Sequence, residues 1–136
     1  MNKQPLVLTY EEWDVDHLEP GLKEDSYGGL VGTLGVEILL QESDHDYQGD
    51  SMMLLQDGSR YGYLSFGWGS CSGCDALQAC DSLADYEALR DGLEGSIKWF
   101  GSLPEVVGYL RGKDWTLEFL NEELVGRFLA RLPRRA

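Results

Sequence analysis

The sequence predicts an α+β fold in one domain over residues 1–136, an antiparallel sheet in the N-terminal half packed with about three C-terminal helices. Three observations predict it. Leu34, Val36, Ile38 and Leu40 alternate with Gly35, Glu37 and Leu39, the period of two that gives a strand one core face. Two strand-like runs, residues 52–56 and 60–66, flank Asp57-Gly58, a dipeptide suited to a tight hairpin turn. After residue 80 the apolar spacing changes to three and four, which is helical.

In chain order, residues 5–10 read as a short strand, followed by an acidic stretch over 11–25. Gly28, Gly29 and Gly32 indicate a turn or bulge before the alternating run. On the second hairpin strand Gly62, Leu64 and Phe66 share one face, and Tyr61, Tyr63 and Ser65 the other. Ser82 with Asp85 starts a helix whose stripe is Tyr86, Leu89, Leu93, Ile97 and Phe100, so it runs to about residue 100. Gly92 and Gly95 weaken that helix by about 1 kcal/mol each and so mark close packing. Ser102, Pro104 and Glu105 open a short helix that Gly112 can stop. Leu117, Leu120, Leu124, Phe128 and Leu132 form the stripe of a last helix, with glutamates early and arginines late. Strands first and helices afterwards place the helices on one face of the sheet.

Charge is unevenly distributed. The chain carries 24 acidic residues against 11 Lys and Arg, a net −13. Residues 1–50 hold 12 acids and two lysines, including Glu11, Glu12, Asp14 and Asp16, while the last ten residues are basic. An acidic surface repels nucleic acid and anionic membranes and attracts basic protein surfaces; it also serves solubility. No apolar run approaches the roughly 20 residues of a membrane span. The N-terminus lacks the pattern of a secretory signal, so a cytoplasmic setting with reduced thiols is the expectation.

All three cysteines fall within residues 67–80, among Gly67, Gly69 and Gly73. Cys71 and Cys74 make a C-x-x-C pair that can hold one ion, and Cys80 could supply a third thiolate to zinc, the candidate cofactor. The fourth position would fall to His45, His17, Asp75 or water. The opposing reading makes Cys80 a small buried hydrophobe. Thiol catalysis fits less well, because the nearest charges, Asp75 and Asp81, raise a thiol pKa. Asp44-His45-Asp46-Tyr47-Gln48-Gly49-Asp50 imitates the opening of a calcium loop, but Leu55 stands where the bidentate Glu is required, so a polar loop is expected. Trp68, beside Tyr61 and Tyr63, is either an aromatic anchor for a protein contact or the lid of the core. No catalytic His–carboxylate constellation and no phosphate loop is visible.

Residues 61–77, YGYLSFGWGSCSGCDAL, resemble a signature of small acidic, uncharacterised proteins of bacteriophages and their bacterial hosts. The resemblance covers roughly residues 47–100 and implies no catalytic residue. It implies a phage-type accessory protein, of a kind often found to inhibit host defence, CRISPR systems included, and working in the host cytoplasm. The expected function is therefore binding and inhibition of a host macromolecule. The acidic N-terminal half would meet a host protein's basic surface, with Trp68, Tyr61 and Tyr63 as contacts. The competing expectation is a small metalloprotein or thiol enzyme centred on Cys71, Cys74 and Cys80.

Overall fold

A computed structural model describes residues 1–6, 23–70, 73 and 75–134. The order of elements is α1 (Lys23–Gly32), β1 (Glu37–Ser43), β2 (Gly49–Asp57), β3 (Arg60–Trp68), α2 (Leu83–Ser96), β4 (Lys98–Phe100), α3 (Leu103–Gly112) and α4 (Glu122–Arg131), with a 3-10 turn at Trp115–Leu117. The four strands form one antiparallel sheet in the order β1-β2-β3-β4. The α+β class follows.

The hairpin forms where expected. Asp57 pairs with Arg60 across a two-residue turn whose first residue, Gly58, has φ 61°. No non-glycine residue described has positive φ, so the turn has positive φ at its first position alone, the II′ geometry that matches strand twist. Arg60 closes it with an ion pair to Asp57 at 2.9 Å.

Both faces of the sheet are covered, not one. β2 shows why: Met53 and Leu55 point into a core with α1 and α2, while Met52 and Leu54 point into a second core with α3 and α4. Its run Met52–Leu55 is fully buried, as a strand with two covered faces must be. The single face predicted for Leu34 to Leu40 also fails. Ile38 pairs with Leu55 but Leu40 pairs with Leu54, leaving Leu39 as an extra, exposed residue. This bulge reverses the alternation, so Leu34, Val36 and Ile38 serve the first core and Leu40 the second.

Two further elements differ from expectation. The glycines at 28, 29 and 32 lie inside α1 rather than in a turn. The residue that does break the chain is Gly35, with φ 80°, where any Cβ would fall 2.3–2.6 Å from the backbone of Asn2. The expected strand at residues 5–10 lies outside the described residues after Leu6. The helix predicted to about residue 100 stops at Ser96, and Lys98–Phe100 pairs with β3 instead. Weak helix formers at Gly95-Ser96 precede aromatic residues that favour a strand. Strand alternation then sends Trp99 to the first core and Phe100 to the second. Gly92 and Gly95 face open space, so they do not mark close packing.

The helix caps match the sequence reading. Ser82 and Ser102 accept from the N–H of Asp85 and Glu105. The last helix is shorter than its apolar spacing implied. Asn121 caps it by accepting from Glu123 N–H at 2.8 Å, and Leu117 lies before it, outside the buried stripe of Leu124, Phe128 and Leu132.

Candidate functional site

The cysteine-bearing loop leaves the end of β3 and returns to α2. Its base is built from polar groups buried against the α1/α2 core. Trp68 is 8% exposed and donates its indole N–H to Ser51 Oγ at 3.0 Å, and Ser51 shares a 2.6 Å hydrogen bond with Ser43. Asp75, 5% exposed, accepts from Tyr27 O–H at 2.5 Å and Gly69 N–H at 3.3 Å on one oxygen, and from Gln78 N–H at 3.1 Å on the other. Tyr27 in turn accepts from Leu77 N–H at 3.2 Å. Gln78 Nε2 donates to Gly69 O at 3.1 Å, joining the two ends of the loop. Burial, then the bond to Asp75, pushes the Tyr27 phenol well above its ordinary value, so it stays a donor.

Of the two readings of Trp68, this geometry fits the lid of the core. The side chain is a core residue with a satisfied N–H, leaving little surface for a partner. Nor does it stand beside the tyrosines. Strand alternation puts Trp68 with Leu64 and Phe66, whereas Tyr63 faces the other core, edge-on to Trp115 at 5.9 Å and tilted against Phe128 at 6.0 Å. Tyr63 is itself 8% exposed, and half-buried Tyr61 accepts from Gln56 at 3.1 Å.

Cys71 and Cys74 lie outside the described residues, as do Glu11, Glu12, Asp14, Asp16 and His17. Cys80 is half-buried against the α1/α2 core and donates its thiol to Ala76 O at 3.4 Å. Burial, with Asp85, Asp75 and Asp81 adding to it, raises its pKa, the opposite of what a nucleophile needs. Asp75 turns both oxygens to hydrogen bonds with Tyr27, Gly69 and Gln78. His45 is exposed on the β1–β2 loop, which faces α4, whereas Cys80 packs on the α1/α2 side. Among the described residues no three His, Cys, Asp or Glu side chains converge as a metal centre.

The calcium-like run is a polar loop closed on itself. Asp44 is buried and accepts from Asp50 N–H at 2.8 Å. Between this loop and the start of α4 lies a depression of about 250 Å³, lined by Asp44, His45, Asp46, Asn121, Glu123 and Arg127 among others. Just before Asn121 lie the most exposed large apolar side chains among the described residues, Phe119 at 104% and Leu117 at 78%.

The sequence reading took Asp75 as a possible metal ligand and missed its role at the loop base; it also missed this apolar pair as a surface, placing Leu117 in a helix stripe. Asp75-x-x-Gln78 has the pattern of a helix-capping turn, which could have exposed the first. Nothing local predicts its pairing with Tyr27, 48 residues away. No protein-family model, no curated protein and no solved structure matches the chain. No helix among the described residues is long and apolar enough to cross a membrane.

Proposed function

We propose that the protein is a non-catalytic, phage-type accessory protein that binds a basic surface of a host protein and inhibits it, a host-defence component of CRISPR type being one such target. One observation carries the reading: among the described residues most cations are paired inside the molecule, so the acidic excess is left for a partner. Lys3 pairs with Glu94, Arg60 with Asp57, Lys113 with Glu118, and Arg127 and Arg131 with Glu42. Arg90 is buried and donates to Gln4 O at 2.7 Å and Thr33 Oγ1 at 3.2 Å. Exposed Glu37, Asp46, Glu87, Glu122 and Glu123 belong to none of these pairs. Pull-down from host lysate at low and high salt tests it. Retention at low salt and loss at high salt are expected, with slower association when Glu11, Glu12, Asp14 and Asp16 are neutralised together. No retained protein at low salt, or direct binding to DNA, overturns the reading.

A second reading is favoured by the clamp at the loop base. Gln78 bonded to Gly69 joins the two described ends of the loop, and Cys80 lies two residues beyond Gln78 in the chain. In this reading the three thiolates hold zinc. Protein purified without chelator would then carry up to one zinc per chain, and Cys71→Ser or Cys74→Ser would lower both metal content and melting temperature. Background metal with unchanged melting in both variants excludes it.

A further inference from the structure

We infer that Leu117 and Phe119, with the acidic depression that begins two residues later at Asn121, form the docking surface for a protein partner carrying an apolar cleft flanked by lysine or arginine. The inference rests on the acidic-partner reading and says where on the chain the contact falls. The side chains that would have anchored a partner by sequence, Trp68 and Tyr63, are buried. The exposed apolar pair is elsewhere, on the segment joining α3 to α4.

That segment is held in place. Trp115 donates its indole N–H to Leu110 O at 2.9 Å, Lys113 pairs with Glu118 at 2.8 Å, and Asp114 accepts from Thr116 N–H at 3.1 Å. At the other end Asn121 caps α4 and Leu120 packs against the α3/α4 core. With Trp115 and Leu120 turned inward, Leu117 and Phe119 are presented to solvent on a braced backbone. A braced anchor loses little conformational freedom on binding, which is how aromatic side chains become the strong points of an interface.

Charge selects the occupant. Lys113, the base at the start of the segment, is neutralised by Glu118, while Glu122 and Glu123 follow three and four residues after Phe119. The depression adds Asp44, Asp46 and Glu123. Its one arginine, Arg127, already donates to Ser43 O at 2.8 Å and faces Glu42 at 3.8 Å. A second copy of the chain would bring the same acids against these, and anionic lipid or nucleic acid would meet like charge. An apolar cleft with cations at its edge complements both parts of the surface.

The test uses the full chain and two synthetic probes of equal length and lysine content, one an amphipathic Leu/Lys peptide and the other a Lys/Ser peptide. Calorimetry at low salt should show the parent chain binding the Leu/Lys peptide more tightly. Leu117→Ser with Phe119→Ser should weaken that binding by about tenfold or more, equivalent to about 1.4 kcal/mol or more, and leave Lys/Ser binding unchanged. Glu122→Gln with Glu123→Gln should weaken both. Equal Leu/Lys affinity in the parent and the serine variant overturns the docking surface while the acidic-partner reading stands. If the parent binds neither peptide, that reading falls as well. Binding of the parent, but not the serine variant, to zwitterionic phosphatidylcholine vesicles, or a parental dimer that the serine variant abolishes, assigns the patch to lipid or to a second copy and also overturns it.

Discussion

The two faces of the sheet are held by different means. The α3/α4 side is closed almost wholly by apolar and aromatic contact, with Leu110, Leu124 and Phe128 fully buried around Met52 and Leu54. The α1/α2 side buries Met53, Leu55 and Leu64 but also Ser51, Asp75 and most of Arg90, each tied by hydrogen bonds to residues distant in sequence. Apolar contact is non-directional and tolerates approximate fit, whereas a buried carboxylate is stable only with its donors in place. The first face should therefore fail in proportion to volume removed, and the second in proportion to partners lost.

The largest effect is expected on the apolar face. Phe128→Ala leaves a cavity where a side chain with 0% exposure stood, and should cost about 3–5 kcal/mol in urea unfolding. A loss below about 1 kcal/mol would mean that α4 is dispensable to the core. On the polar face the comparison sharpens with a pair. Asp75→Ala should cost about 2–3 kcal/mol by stranding Tyr27, Gly69 and Gln78, whereas Tyr27→Phe, which leaves the carboxylate with its backbone donors, should cost about 1 kcal/mol. The double variant should be less unstable than the sum of the two, since they share one interaction. Strict additivity would show that the Tyr27–Asp75 bond contributes nothing.

How much could be read from the sequence follows the same division. The hairpin at Asp57-Gly58, the Ser82 and Ser102 caps and the Leu124–Phe128 stripe rest on neighbours within a few residues, and these were legible. The second covered face was not, because a fully apolar strand such as Met52–Leu55 does not announce which side is covered. The bulge at Leu39 hid in the alternation of Leu34 to Leu40, and β4 continued a helical spacing through Ile97 and Phe100 by coincidence of period. Of the candidate site, the loop itself was visible in its glycines and cysteines. What anchors it was not, since Asp75 and Tyr27 meet only through the fold.

Alkaline titration separates a buried phenol on the apolar face from exposed ones. Burial in the α3/α4 layer pushes Tyr63 up to about 12 from 10.0. Between these values the unfolded chain gives up the proton and the folded chain keeps it. Tyr63 therefore favours the fold fully below pH 10, and stability declines as pH rises toward 12. Urea midpoints followed through this window should fall, and less steeply in Tyr63→Phe. An identical slope in the variant would place the alkaline transition elsewhere.

The smallest effect on stability belongs to the residues assigned the largest role in binding. Phe119 is as exposed in the fold as in an unfolded chain and Leu117 is 78% exposed, so folding gains little apolar burial from them. Leu117→Ser with Phe119→Ser should thus shift unfolding by no more than about 0.5 kcal/mol, the range of surface substitutions remote from core and caps. The contrast with Phe128→Ala, nine residues along the chain from Phe119, is then between an aromatic ring that holds the fold and one that the fold holds out. Should the serine pair instead destabilise by about 2 kcal/mol or more, the ring must pack against the protein in solution. The surface proposed for docking would then belong to the α3/α4 core.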